Sequence, residues 1–323
     1  MERSAGLSNP PGEPAIFQPA GPTRRRSMAP HHRRRRWVAA LALIVLGLMA
    51  GLLVAGGAGG AHPRSIAHAP RTEVFDWIRE LIASGAGSLA ARETAAENAA
   101  INRTLAYTPY VRIAGSQHRE IALTFDDGPG PYTPQILTIL QRHHVPATFF
   151  EIGVLERYFH DSTTSIVADG DAIGDHTEGH VAMSSLSAAG QRSQLLSDAS
   201  VLERRGARFP RLFRPPYGMW NRATLALLHR YRMLMVLWTV DTNDYRRPGV
   251  KAIVKAALGG ARAGAIILLH DAGGNRLQTV KALPRIIAGL RGRGYRLVTV
   301  PRLLLDNPAP RVQNIAAVIG TGG

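Results

Sequence analysis

The chain has 323 residues, is 45% hydrophobic, carries a formal net charge of +16 and contains no cysteine. That length can bury a substantial core, and the lack of thiols excludes a disulfide framework, a cysteine nucleophile and any Cys-ligated zinc. The charge is not a nucleic-acid signature: residues 1–36 alone hold eight arginines against Glu2 and Glu13, and no basic stripe is interleaved with aromatic residues.

Residues 1–36 are rich in Pro, Gly and Ser and read as a disordered basic tail, ending in His31-His-Arg-Arg-Arg-Arg36. An uncharged run follows from Trp37 to Ala61, longer than the roughly 20 apolar residues that span a bilayer. Arginines directly before it place the N-terminus in the cytoplasm and send the rest across the membrane, so 37–61 reads as a single-pass anchor. The small residues Gly59-Gly60-Ala61 make a cleaved signal peptide the competing reading, against which stands the length of the preceding tail. Residues 62–115 read as a spacer, with an amphipathic helix over Thr72–Ser84 and a second helix over Leu89–Leu105. At the other end, residues 306–323 are rich in Pro, Gly and Ala and read as a loose tail.

Between residues 116 and 305 short apolar runs alternate with helical periodicity. Strands are predicted at Ile121–Phe125, Ala147–Ile152, Asp171–Asp175, Leu212–Arg214, Met233–Val240, Ala265–His270 and Arg296–Val300. Helices are predicted at Tyr132–His143, Val154–Asp161, Ser187–Arg205, Asn221–Tyr231, Val250–Leu258 and Leu277–Gly292. Such alternation defines an α/β fold, a deformed (β/α) barrel of about seven parallel strands with its chemistry at the C-terminal strand ends.

Polar residues cluster just after those strands. Ile121-Ala-Leu-Thr-Phe125 ends in Asp126-Asp127-Gly128-Pro129, two adjacent carboxylates held by a turn, an arrangement that calls for a cation and a positive partner. His176-Thr-Glu-Gly-His180 offers two imidazoles four residues apart, on one side of a helical turn. With Asp127 they make an Asp-His-His set that suits zinc, cobalt or nickel and leaves room for water. Thr177 stands where the zincin protease signature requires Glu. Arg214, stiffened by Pro215 and Pro216, is the candidate positive partner, its bidentate fork holding Asp126. His270, at the mouth of an apolar strand, is a candidate acid–base group that Asp241 or Asp244 would orient and keep protonated.

In order, these stretches are Thr124-Phe-Asp-Asp-Gly-Pro129, His176-Thr-Glu-Gly-His180, Arg214-Pro-Pro-Tyr-Gly218, Asp241-Thr-Asn-Asp-Tyr245 and Leu269-His-Asp271. Over residues 115–305 the chain resembles the polysaccharide deacetylases of the NodB-homology type, carbohydrate esterase family 4. The resemblance implies a divalent metal, usually zinc, on Asp127, His176 and His180. It also implies Asp126 as general base positioned by Arg214, His270 as general acid, and the Tyr217 backbone N–H as oxyanion donor. The fourth motif usually ends Asp-Trp, and here it ends Asp244-Tyr245. The expected activity is removal of N-acetyl groups from amino sugars of an extracytoplasmic polysaccharide such as peptidoglycan. An O-acetyl esterase and a membrane-anchored glycan-binding protein with an inactive barrel are the alternatives.

Overall fold

The computed structural model describes residues 89–314. Residues 89–105 form helix α1. There follow β1 (Tyr110–Val111), β2 (Glu120–Gly128), α2 (Thr133–His143), β3 (Thr148–Glu151), α3 (Glu156–Asp169), β4 (Ala172–Asp175), α4 (Ala188–Arg204) and β5 (Leu212–Phe213). The second half holds α5 (Arg222–Tyr231), β6 (Leu234–Val236), β7 (Val240–Asp241), α6 (Val250–Gly259), β8 (Ala265–His270), α7 (Leu277–Gly292), β9 (Arg296–Val298) and α8 (Val300–Asp306). The runs at 37–61 and Thr72–Ser84 lie outside the described residues, and within those residues no helix is long and apolar enough to cross a membrane.

Among the described residues nine strands form one sheet in the order β1-β6-β5-β4-β3-β2-β8-β7, with β9 beside the start of β2. Every strand pairing in it is parallel. The path is open, but residues 237–239 carry the chain from β6 near one edge to β7 at the other, a reach of only about 3.5 Å per residue. An antiparallel bridge from Ile113 to Ala265 spans the same gap. The sheet is thus curled into a half-barrel, consistent with the deformed barrel expected.

Strand periodicity sorts the side chains. On β2, Ile121, Leu123 and Phe125 pack outward with Ile267 and Leu269 of β8 against α2, α6 and α7. The alternate residues face inward, where Ala122 and Ile266 join a second cluster with Phe150, Val236 and Leu303. Following the same alternation, Thr124 and Asp126 on β2, and His270 on β8, belong to the inner face at the strand ends. Asp126 and His270 are register partners, so a potential proton acceptor and donor sit side by side.

Three features differ from the sequence reading. The single strand expected over Met233–Val240 is broken, because Leu237 N–H donates to Val111 O and Thr239 N–H to Ile266 O, pulling the backbone across the gap. The sheet begins with β1, ahead of residue 116. Residues 306–314 are packed rather than loose: Gln313 Oε1 accepts from the Arg112 and Ile113 amides, and the Tyr107 hydroxyl donates to Ala309 O.

Candidate active site

The two adjacent aspartates reach one site through a β-bulge. The β2–β3 register shifts between Asp126 and Gly128, and Asp127 takes a left-handed conformation at φ 70°. Without that twist, neighbouring strand residues would face opposite sides of the sheet. Both carboxylates instead approach one imidazole, with His176 Nε2 3.9 Å from Asp126 Oδ2 and 3.6 Å from Asp127 Oδ1. Gly128 permits the turn, since a Cβ there would collide with the buried Asp271 carboxyl, whose Oδ2 accepts from the Thr133 hydroxyl.

The imidazoles meet on an irregular loop, not on the helical turn expected from their spacing. Thr177 and His180 both have positive φ, 71° and 53°, values a right-handed helix excludes. The loop is held from below by α4. Asp198 Oδ2 accepts from the His176 amide (3.1 Å), Gln194 Oε1 from Gly179 (2.9 Å) and Gln194 O from Glu178 (3.1 Å). Asp175 Oδ1 takes the Thr177 amide at 2.8 Å. Burial raises both the Asp175 and Asp198 carboxyls; the charge of Asp175 raises Asp198 further, while hydrogen bonds from the Thr177 amide and Asp198 pull Asp175 partly back.

His176 Nδ1 lies 2.7 Å from Arg214 O, a carbonyl that can only accept, so Nδ1 carries a proton and Nε2 is the ring nitrogen turned to Asp127. His180 Nε2 is 3.1 Å from the same Asp127 oxygen. One ligand atom from each of the three residues lies within 4.8 Å of the others. Separations of 3.1 and 3.6 Å bracket the ~3.4 Å expected between neighbouring ligands of a tetrahedral ion with bonds near 2.1 Å. The donor set therefore fits a divalent ion. Burial alone would raise Asp127, but hydrogen bonding to both histidines and the nearby His270 charge hold it well below the usual carboxylate range. For His176, burial opposes charge, and the Asp126 and Asp127 carboxylates raise it overall.

Arg214 is fully buried and does hold Asp126, but through one contact rather than a bidentate fork: Nη1 lies 2.6 Å from Asp126 Oδ1. The remaining donors are spent on Thr124 Oγ1 (2.9 Å), Val236 O (3.0 Å) and Leu237 O (3.3 Å), while the guanidinium stacks 4.1 Å over Phe150. Asp126 Oδ2 is left to face the cluster.

Of the two carboxylates left open for His270, Asp244 is the partner. Its Oδ1 lies 2.7 Å from His270 Nδ1, while Oδ2 accepts from the His270 amide (2.9 Å) and the Thr279 hydroxyl (2.6 Å). Asp241 instead accepts from the Asn243 amide at 2.7 Å. Burial would lower His270, but Asp244, with Asp127 and Asp126 further off, pushes it up to about 9. Tyr245 stands edge-on to its ring at 5.3 Å. Tyr217 projects from the rim at φ 60°, half exposed, with its ring centroid 4.7 Å from that of His180 in an edge-to-face arrangement. Asp198, Gln194 and Thr279 escaped the sequence reading, since each acts from a helix position with no local motif; Thr124 stands inside the first motif, but its bond to Arg214 is not visible there.

A parallel α/β sheet that gathers a metal-type donor set, a fixed carboxylate and a protonated imidazole at its strand ends defines a hydrolase. A family model for polysaccharide deacetylases matches residues 114–236. Over 187 residues the chain is 39% identical to a peptidoglycan-N-acetylglucosamine deacetylase of Bacillus cereus, covering 57% of this chain and 87% of that one. It is 36% identical over 198 residues to a chitooligosaccharide deacetylase of a Bradyrhizobium species, covering 57% and 90%. The solved structure of a peptidoglycan N-acetylglucosamine deacetylase superposes with a TM-score of 0.59 at 34% identity, over 60% of this chain and 92% of that one. The chain belongs to the polysaccharide deacetylase family, the NodB-homology group of carbohydrate esterase family 4.

Gly273 lies at φ 71° behind the cluster, where a Cβ would collide with Asp127 Oδ2. Gly273→Ala is expected to displace Asp127 and, where the cluster holds a divalent ion, weaken its binding about tenfold or more. Competition against a chromogenic chelator measures this, and unchanged affinity would mean that the loop yields instead.

Proposed function

We propose that the chain hydrolyses N-acetyl groups of N-acetylglucosamine units in a polysaccharide, peptidoglycan foremost, using a divalent ion on Asp127, His176 and His180. The observation that carries this reading is the placement of Asp126 and His270 as register partners beside that cluster. When bound, such an ion, zinc best suiting one carboxylate and two imidazoles, supplies Lewis acidity toward a carbonyl and acidifies water.

The chain's own residues then divide the proton transfers. Asp126, held at Oδ1 by Arg214, takes a proton from the attacking water at Oδ2. The water oxygen bonds to the acetyl carbon, and the Tyr217 backbone N–H stabilises the oxyanion that develops on the former carbonyl oxygen. His270, held by Asp244, delivers a proton from Nε2 to the sugar nitrogen as the C–N bond breaks, releasing acetate and an amine. A nitrogen leaving group needs that proton more than an alkoxide does, and a histidine kept protonated at neutral pH favours N-acetyl over O-acetyl substrates.

Peptidoglycan follows from the proposed placement: a cytoplasmic tail at 1–36, an anchor at 37–61 and a catalytic domain beyond the spacer 62–115, outside the cell membrane. A C-terminal reporter active only outside the cytoplasm, cofractionating with membranes, is the expected result. A soluble cytoplasmic protein would overturn the placement.

Asp127→Ala and His176→Ala are expected to lose bound zinc by elemental analysis and activity together. Asp126→Asn keeps the zinc and loses turnover by about 10²-fold or more, measured as acetate release from N-acetylglucosamine oligomers. A near-normal rate for Asp126→Asn would remove it from the base role.

His270 should act as acid below its raised pKa, so kcat/KM falls on the alkaline side as pH passes through the range near 9, with a cation at Asp127 drawing that limb somewhat lower. The same shift makes its contribution to folding stability complete below about 6.5 and lost as pH rises through about 9. Removing the Asp244 charge with Asp244→Asn lowers the histidine pKa and moves the alkaline limb to lower pH. A pH–rate profile with an unmoved limb would assign the proton to another group.

A further inference from the structure

Helix α4 has a second side. Its inner face holds the His176–His180 loop, and its outer face forms one wall of a groove of about 680 Å³. The helix is 17 residues long, so that wall runs for about 25 Å. Arg192, Ser193, Ser197, Ser200 and Arg204 line it at helical spacing. Across from them stand Glu156 and Arg157, from the start of α3, together with Glu178 of the metal-type loop. The groove therefore reaches to within two residues of both His176 and His180.

Charge in the groove is uneven. Arg157 lies 4.0 Å from Glu178, and Arg205, which also lines the groove, lies 3.5 Å from Glu156, so these four groups offset one another. Arg192 and Arg204 bond only neutral hydroxyls, Tyr231 OH at 3.0 Å and Ser200 Oγ at 2.7 Å, and among the described residues no carboxylate lies within ion-pair distance of either. Each keeps guanidinium donors for an incoming anion. Two such forks separated by a row of serine hydroxyls match a hydroxyl-rich linear polymer carrying carboxylates.

The lining argues against other polyanions. Among the described residues no aromatic side chain lines the groove to stack a base, which disfavours single-stranded nucleic acid. Among the described residues, Leu196 and Val201 are its only sizeable apolar side chains, too few for insertion into a lipid surface.

We propose that the α4 groove is a second polysaccharide site, binding a carboxylate-bearing stretch of glycan next to the catalytic loop. This rests on the polysaccharide deacetylase reading above. Arg192 and Arg204 act there as specificity residues that favour acidic over neutral polymers and take no part in bond breaking.

The test compares the wild-type chain with the Arg192→Gln/Arg204→Gln variant, both positions being exposed. The probes are purified peptidoglycan sacculi stripped of phosphate polymers, the same sacculi with their carboxyl groups amidated, and neutral chitin. The wild type is expected to bind stripped sacculi in a salt-sensitive manner, and the variant to bind them about tenfold more weakly. Amidation should erase the difference, and chitin should be bound equally by both. In kinetics, KM on sacculi rises by a similar factor, while kcat and all constants on chitin oligomers stay unchanged.

Equal binding of stripped sacculi by the two proteins would overturn the proposal, as would a parallel loss on chitin. A difference seen only before phosphate polymers are removed would overturn it too, assigning the groove to phosphate. Carboxylate-dependent binding without acetate release from any substrate would keep the groove and remove the catalytic reading.

Discussion

The site depends on one backbone event, the left-handed turn of Asp127 at the end of β2. Regular strand geometry would send Asp126 and Asp127 to opposite faces, one into the half-barrel and one into the helix layer. With the bulge, both carboxylates enter the same space and can be given different partners. Asp126 is tied to a buried arginine and Asp127 to two imidazoles. A left-handed conformation costs a non-glycine residue on the order of 1 kcal/mol or more. Thr177, His180, Tyr217 and Asn243 share it around the same mouth, and such strain persists only where surrounding contacts over-determine the backbone. Here those contacts are the helix-borne side chains of Asp198 and Gln194, and the packed strands beneath.

Electrostatics explains why Arg214 must be buried. An isolated guanidinium in an apolar interior carries a large desolvation cost, and breaking its pairing would leave an uncompensated buried charge. Arg214 meets that cost with one carboxylate, one hydroxyl, two carbonyls and an aromatic face. The result is a rigid rod joining β5, β2 and the β6–β7 crossing. Its own carbonyl also fixes the His176 tautomer. A single residue thereby sets the aim of the carboxylate and the open nitrogen of the nearest imidazole. On the other flank, Asp244 does the same for His270 with both of its oxygens, binding the ring nitrogen through one and the backbone amide through the other.

Residues whose role follows from strand position were legible in the sequence. Asp126 and His270 each end an apolar strand run, which places them at the C-terminal strand ends before any coordinates are known. Features that depend on how strands meet were not legible. Two carboxylates lie at the end of β7 and just beyond it, and the sequence alone does not distinguish Asp241 from Asp244; Thr279, 35 residues away, donates to Asp244 and helps fix it beside His270. The spacing of His176 and His180 suggested a helical turn, because i and i+4 also adjoin in an irregular loop when two residues adopt positive φ. Arg214 was read as a fork on Asp126, since the carbonyls competing for its donors belong to a strand that breaks unexpectedly at Leu237. The split of Met233–Val240 was hidden because its apolar run is continuous, although its backbone serves both edges of the sheet.

Helix α4 connects these observations. Its buried Asp198 and half-buried Gln194 clamp the loop that presents two imidazoles, and a polar outer stripe beside them lines an open groove. A helix of this kind cannot shift by a fraction of a turn without altering both, because the anchoring groups are fully or partly buried and the loop backbone has no slack at its left-handed residues. A polymer lying in the groove would therefore bear on the same rigid element that orders His176 and His180. Ligation geometry at the mouth and grip on a neighbouring stretch of glycan would then be two faces of one packing arrangement. Selection for acidic polymers could be tuned through exposed positions such as Arg192 and Arg204, leaving the buried face that supports the chemistry untouched.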